Sequence, residues 1–309
     1  MPKVVLRELK KYKVDIVSVT SMVDSGGSTG ALRKELNILP PGDIRRHVLA
    51  LSEAEEWKKK LWEFKFATDV VFEGGHRGHN FANLFISGLE YVLRDYERVL
   101  EILHEFMKVK GKCLPATLEN TQLCAELENG EVIEGEDEID VPKRHDGNLK
   151  IKRIFLRPKV RAYDKVLEEI EKADAIIIGP GDLYSSLLPC FLPQGIKEAL
   201  RSTRAKKIFI CPAMTKFGET QGFSVEEFTN EVEKYLGCGL DYVVFNTALP
   251  DEERVKKYKK QNPLLVEPVR FNKNLSQPKF VGRNLLLEGG AIEYSGEKVV
   301  GTIMSLVKQ

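Results

Sequence analysis

The sequence predicts an α/β protein in which a mainly parallel sheet lies between two layers of helices. Three observations carry that prediction. Short apolar, β-branched runs recur at residues 14–20, 175–179, 207–211 and 242–246, and turn residues follow each of them. Amphipathic segments of helical period occupy 53–66, 82–107, 162–172 and 224–235, between those runs. The strand runs are apolar on successive residues rather than on alternate ones, as strands covered on both faces must be.

Between residues 112 and 156 the pattern changes to alternation. The runs 122–127 and 131–134 are separated by the turn pair Asn129-Gly130, which predicts a β-hairpin at one side of the main sheet. The acidic stretch 134–140 is followed by Lys143, Arg144, Lys150, Lys152 and Arg153. It reads as a solvated charged face and receives no catalytic role. The whole chain, 1–309, is expected to form one α/β domain with this β-rich subregion.

Composition narrows the function. Forty-seven basic and 46 acidic side chains leave a net charge of +1, so nothing in the balance points to nucleic acid or to an anionic membrane. Any anion site must be local. The five cysteines are odd in number, widely spaced and free of any CxxC pair, which suits a reducing, cytoplasmic setting. The apolar runs, such as 176–178, are far shorter than the roughly 20 residues that span a bilayer.

Several polar turns are predicted at the carboxyl ends of the strands, where open α/β sheets bind ligands. After the first strand comes Asp24-Ser25-Gly26-Gly27-Ser28-Thr29-Gly30, a glycine turn opening a helix, whose N–H groups can face an oxyanion. In Pro40-Pro41-Gly42-Asp43-Ile44-Arg45 the prolines are expected to delay the helix until Gly42. Asp43 would cap that helix, or bind a ribose hydroxyl or a metal, with Arg45 on a phosphate. His76 and His79, in Gly74-Gly75-His76-Arg77-Gly78-His79-Asn80, lack further ligands at zinc spacing. Asn80 and Asn83 suit helix capping or a ligand equally.

In Gly179-Pro180-Gly181-Asp182-Leu183-Tyr184-Ser185-Ser186 a buried strand ends and a helix begins. Asp182 would cap it, leaving Tyr184, Ser185 and Ser186 to face an anion or sugar. A valine at Gly179 would then block the ligand while sparing the fold. Thr215 and Thr220 offer hydroxyl groups, Asn246 ends a further strand with an amide, and Ser224 with Glu227 forms a capping box.

Taken in this order the motifs resemble the CofD-like superfamily, over roughly residues 3–307. The carriers are Pro40-Pro41-Gly42-Asp43-Ile44-Arg45 and Gly179-Pro180-Gly181-Asp182-Leu183-Tyr184, with Gly78-His79-Asn80, Asn83, Met214-Thr215 and Gly218-Glu219-Thr220. Their contexts look closer to the gluconeogenesis-factor (YvcK-like) branch. The resemblance implies a three-layer, Rossmann-like sheet and a UDP-sugar-binding protein that supports growth and cell shape on gluconeogenic carbon sources. The other branch, similar to 2-phospho-L-lactate transferase, moves a lactyl-phosphate group onto a deazaflavin in coenzyme F420 synthesis, with magnesium.

Departures from the family pattern are local. Ser25 replaces a second aspartate, Cys190 and Pro212 stand where asparagine is common, and Ala82 replaces a glycine. The family's Arg-His-Asp is missing near Glu293-Tyr294-Ser295. Residues 4–12 match the helix that in relatives follows a strand and a glycine-rich loop. The expectation is therefore a truncated first βα unit, with a reading frame continuing upstream by roughly 10 to 20 residues.

The expected ligand is a nucleotide or nucleotide sugar, with no required cofactor and with magnesium as an accessory ion on Asp24 and Asp43. Its site would draw on Asp24, Gly26, Gly27, Ser28, Gly30, Asp43, Arg45, Asn80, Gly179, Gly181, Asp182, Tyr184, Ser185, Thr215, Thr220 and Asn246. A transferase with the diphosphate clamped by magnesium and Arg45, and a scaffold with a degenerate site, stay open beside the regulator. So do the monomer and the homo-oligomer. No membrane or nucleic-acid partner is expected.

Overall fold

The computed structural model describes residues 2–67, 78–272, 275, 279–289 and 292–308. Helix α1 (Pro2–Leu9) leads to strand β1 (Val17–Thr20), then α2 (Gly27–Leu36), α3 (Pro41–Leu51) and α4 (Glu56–Glu63). Helices α5 (Phe81–Leu93) and α6 (Tyr96–Phe106) follow, then β2 (Lys112–Pro115), β3 (Gln122–Leu127), β4 (Val132–Glu134), the short α7 (Glu136–Asp140) and β5 (Ile151–Arg157). Next come α8 (Asp164–Lys172), β6 (Ala175–Ile178), helical turns at Leu183–Leu187 and Leu188–Phe191, α9 (Ile196–Ser202), β7 (Lys206–Ile210) and β8 (Met214–Lys216). The chain closes with α10 (Val225–Leu236), β9 (Tyr242–Asn246), α11 (Glu252–Gln261), β10 (Leu265–Pro268), β11 (Phe280–Arg283) and α12 (Gly296–Val307).

The fold is α/β with mainly parallel pairing. Strands β11, β9, β7 and β6 form a parallel sheet in that order, and β1 pairs in parallel with β2 in a separate ribbon, Val17 opposite Lys112. Among the strands of the described residues, antiparallel pairing joins β4-β3-β5 and β10-β8. The hairpin expected at Asn129-Gly130 is β3-β4, with Glu126 opposite Val132. Strand β7 shows why its run is continuously apolar. Phe209 joins one core with Ile44, Leu103 and Phe228, while Ile208 and Ile210 join a second core with Val244, Val299 and Ile303. Among the described residues no helix is long and apolar enough to cross a membrane.

Two expectations are corrected. The 82–107 segment is two helices, because Arg94 ends α5 in the left-handed conformation and the Asp95 carboxylate caps α6 by accepting from the Arg98 N–H at 3.2 Å. Helix α3 begins at Pro41, not after Gly42. Proline is tolerated at a first helical position because the N–H it lacks would have no partner there. Asp43 therefore lies within the first turn and does not cap it.

The capping box is present. Ser224 Oγ accepts from the Glu227 N–H at 3.3 Å, and Glu227 accepts from the Ser224 N–H at 2.7 Å. Ser224→Ala should therefore lower stability by about 1 kcal/mol in urea unfolding; a loss below roughly 0.3 kcal/mol would show that the box contributes nothing.

Candidate functional site

The first part of the site is the loop after β1. Asp24 turns back onto it, accepting from the Gly26 N–H at 3.1 Å and from the Thr29 hydroxyl. Two glycines make this packing available. A Cβ at Gly42 would stand 2.1 Å from Asp24 Oδ2, and one at Gly30 would stand 1.9 Å from the Ser25 carbonyl. The first turn of α3 thus lies directly on Asp24. Asp43 accepts from Ser21 Oγ at 3.0 Å and from Arg46 at 2.6 Å, and the same guanidinium lies 3.8 Å from Asp24. Burial, and then Asp43, raise the Asp24 carboxyl above its ordinary range, against the pull of Arg46.

Helix α2 starts at Gly27 with no side-chain cap, so its first N–H groups are not used by a side chain. Beside this start, Ser28 Oγ lies 2.7 Å from His79 Nδ1, and Asn83 Nδ2 donates to Ser28 and Thr29 at 3.4 Å. Asn80 caps α5 by accepting from Ala82 and Asn83, as expected. Its Nδ2, Asn83 Oδ1 and Arg45 Nε are all buried without a hydrogen-bond partner among the described residues. Gly74, Gly75, His76 and Arg77 lie outside the described residues.

The acidic stretch given no role in the sequence is a structural centre. It folds as α7 and lies against both halves of the site. Asp137 accepts from Ser25 Oγ at 2.6 Å, and Asp140 accepts from Ser185 Oγ at 3.2 Å and from Lys216. Burial, followed by the charges of Asp24, Asp140 and Asp43, pushes the Glu136 carboxyl up to about 8. It is therefore neutral at pH 7.

The second half gathers around Lys216, whose ammonium meets Asp140, Glu219 at 2.8 Å and Asp182 at 3.2 Å. Burial alone would lower its pKa, but these three carboxylates outweigh it and raise it. Glu219 is fully buried and accepts the N–H groups of Tyr184 and Ser185 at 2.8 and 3.2 Å and the Ser185 hydroxyl at 2.9 Å. The protein's own carboxylate thus sits at the helical turn where the sequence suggested an anion. Asp182 makes no capping bond and turns to Lys216 instead, because Glu219 has taken the cap. Tyr184 and Ser185 are both buried.

The remaining predicted residues divide. Gly179 has φ +87°, and a Cβ there would meet the Ile210 carbonyl at 2.9 Å; one at Gly181 would meet Leu187 at 2.9 Å. A valine at Gly179 would therefore strain the fold itself, contrary to the expectation of a folded variant. Thr215 donates to the Glu267 carbonyl at 3.3 Å, and Thr220 accepts from the Lys216 N–H at 3.0 Å. Asn246 ties the loop after β9 through Ala248 and Leu285. The two halves meet at the Leu188–Phe191 turn, where the Cys190 thiol lies against the Ser21 backbone and within the field of Asp43.

Two carboxylate sets could face a cation. Asp140, Asp182 and Glu219 have oxygens within 4.8 Å of one another, but Lys216 already supplies their counter-charge. Asp24 and Asp43 also face a cation of the chain, the Arg46 guanidinium at 3.8 and 2.6 Å, and would be the residues to hold a magnesium ion, which takes one or two carboxylates. Lys216, Glu219, Asp140 and Glu136 were not singled out from the sequence. The Lys216/Glu219 spacing within one motif was the only local signal. Lys216→Met should cost about 3 to 5 kcal/mol in denaturant unfolding at pH 7 or prevent folding, since it strands the buried Glu219 carboxylate. A cost under about 1 kcal/mol would show that the cluster does not need its cation.

The profile of the family described as 2-phospho-L-lactate transferase CofD matches residues 2–281. The gluconeogenesis factor of Halalkalibacterium halodurans is 38% identical, over 85% of this chain and 80% of that protein. The gluconeogenesis factor of Bacillus subtilis is 33% identical, over 99% of this chain and 95% of that protein. A crystal structure of a Bacillus halodurans protein shares the fold with a TM-score of 0.88 at 34% identity, covering 98% of this chain and 95% of that one. By extent and by motif, this chain belongs to the CofD family, in its gluconeogenesis-factor branch.

Proposed function

We propose that this protein binds a nucleotide sugar of the UDP-sugar type in the cytoplasm, and that through this binding it acts in carbon metabolism and cell-shape maintenance. One observation carries the reading. The start of α2 has no side-chain cap, and Asn80 Nδ2 and Asn83 Oδ1 are buried with no hydrogen-bond partner among the described residues. Unspent N–H donors at a helix start suit a diphosphate, and unpaired buried amides suit the hydroxyl groups of a sugar. Arg45, with its unpartnered Nε, adds a cation for the phosphates.

The carboxylates shape the electrostatics. Asp24 and Asp43 would receive ribose hydroxyls or hold magnesium. Magnesium, when bound, would offset the charge of the diphosphate. Glu136, neutral below about pH 8, removes one negative charge from the path of an anionic ligand. The match to the transferase family favours a second reading, in which the same residues clamp a diphosphate during group transfer. Thermal shifts with UDP-GlcNAc, UDP-glucose and GDP, with and without magnesium, test the first reading. Saturation at about 100 times Kd adds roughly 2.7 kcal/mol. Silence from every nucleotide would sink it in favour of a scaffold, and transfer to a deazaflavin acceptor would establish the enzyme.

Asp43→Asn should weaken uridine-sugar binding at least tenfold while leaving the unfolding midpoint nearly unchanged. Asparagine still accepts from Ser21, and only an exposed pair with Arg46, worth about 1 kcal/mol or less, is lost. Unchanged affinity measured by calorimetry would remove Asp43 from the site.

Glu136 predicts a pH dependence. Its folded pKa, about 8, lies above the unfolded value of 4.5, so its contribution is full below pH 4.5 and is lost as pH rises to 8. Relative to Glu136→Gln, the wild type should lose on the order of 3 kcal/mol between pH 5 and 8. Parallel pH profiles for the two proteins would place Glu136 in solvent.

A further inference from the structure

We propose that the cavity at the carboxyl end of α5 is a second ligand site, taking a small organic cation whose ammonium group is held by Glu90 and Tyr96. The cavity has a volume of about 550 Å³, within the range of small-molecule sites. Glu90 Oε1 accepts from the Leu39 N–H at 2.8 Å, but Glu90 Oε2 is buried with no partner among the described residues. Tyr96 is only 8% exposed and lines the same cavity, and its hydroxyl has no hydrogen-bond partner among the described residues. Glu90 and Tyr96 line the same cavity, and the Glu90 carboxylate acts electrostatically on that hydroxyl.

The other charged groups of the lining are already engaged. Asp95 caps α6, Glu97 pairs with Lys165 at 2.9 Å and accepts from Tyr163, and Arg94 stacks 4.4 Å from the Tyr91 ring centroid. Three carboxylates against one guanidinium make the cavity acidic and disfavour an anion. An ammonium group brings three donors and no acceptor. Two of them would satisfy Glu90 Oε2 and Tyr96 Oη, the third would meet water, and the alkyl stem would lie along Leu39 and Leu118. Without such a cation, burial pushes the Glu90 carboxyl up to about 7. The site is distinct from the Asp24–Asp43 region, yet it touches Leu39, which leads into α3 through Pro40.

The test is a titration of the whole protein with n-butylammonium chloride, sodium butyrate and 1-butanol, followed by amide and glutamate-carboxyl NMR shifts. Butylammonium should bind saturably, with Kd on the order of millimolar for so small a ligand, and shift Leu39 and Glu90. Butyrate should not bind. Glu90→Gln keeps a carbonyl for the Leu39 N–H and should weaken butylammonium at least tenfold; Tyr96→Phe should weaken it about threefold. The amide spectrum of each variant reports its fold, and the wild-type titrations need no variant. The proposal is overturned if butylammonium gives no saturable shift, if butyrate or butanol binds as tightly, or if folded Glu90→Gln binds as well as the wild type. No nucleotide enters the experiment, so its outcome is independent of the UDP-sugar reading.

Discussion

The ammonium of Lys216 is the charge on which the second half of the site depends. Three carboxylates from separate parts of the chain converge on it, and a buried group of that composition survives only when its charges are paired and hydrogen-bonded. Glu219 carries the constraint further. Held by Lys216, it spends its remaining capacity on the N–H groups that open the Leu183–Leu187 turn. The loop at the end of β6, the α7 segment and the loop after β8 are thereby fixed relative to one another.

That arrangement makes the two halves of the site chemically unlike. At the end of β6 the helical turn is satisfied from within, and its hydroxyls are directed at acids. At the end of β1 the start of α2 is open, glycine-lined and flanked by unpaired amides. Helix α7 connects them, with Asp137 on one side and Asp140 on the other. A phosphate is accordingly better served by the β1 side, where donors remain, than by the β6 side, where a carboxylate already stands.

Much of the fold was legible because its signals are local. Strand 242–246 is contiguous and apolar, the Asn129-Gly130 turn fits its hairpin, and Ser224 and Glu227 lie three residues apart. The break at Arg94 was not legible, since a non-glycine residue adopts the left-handed conformation there with no glycine or proline to mark it. The start of α3 was misplaced because two prolines read as a block, although the second is a favourable first helical residue. The site was legible only as motifs. Lys216 and Asp140 are separated by 76 positions, and no spacing rule predicts that they meet. The stretch 134–140 has the composition of a solvated face, and only tertiary packing turns Glu136, Asp137 and Asp140 inward.

Helix α1 has a consequence for how the molecule assembles. Its neighbouring residues Val5 and Leu6 enter different cores, one shared with α12 and the other with α3 and β2. Gly296, at the start of α12, approaches so closely that a Cβ there would stand 3.0 Å from the Val4 carbonyl. The first and last helices therefore complete each other. Because α12 lies far along the chain from α1, the docking of these two helices that buries Val5 is a long-range event in folding, whereas Leu6 packs on the nearer α3 and β2. Until then Val5 lacks the core that it shares with Val299, Val300 and Ile303.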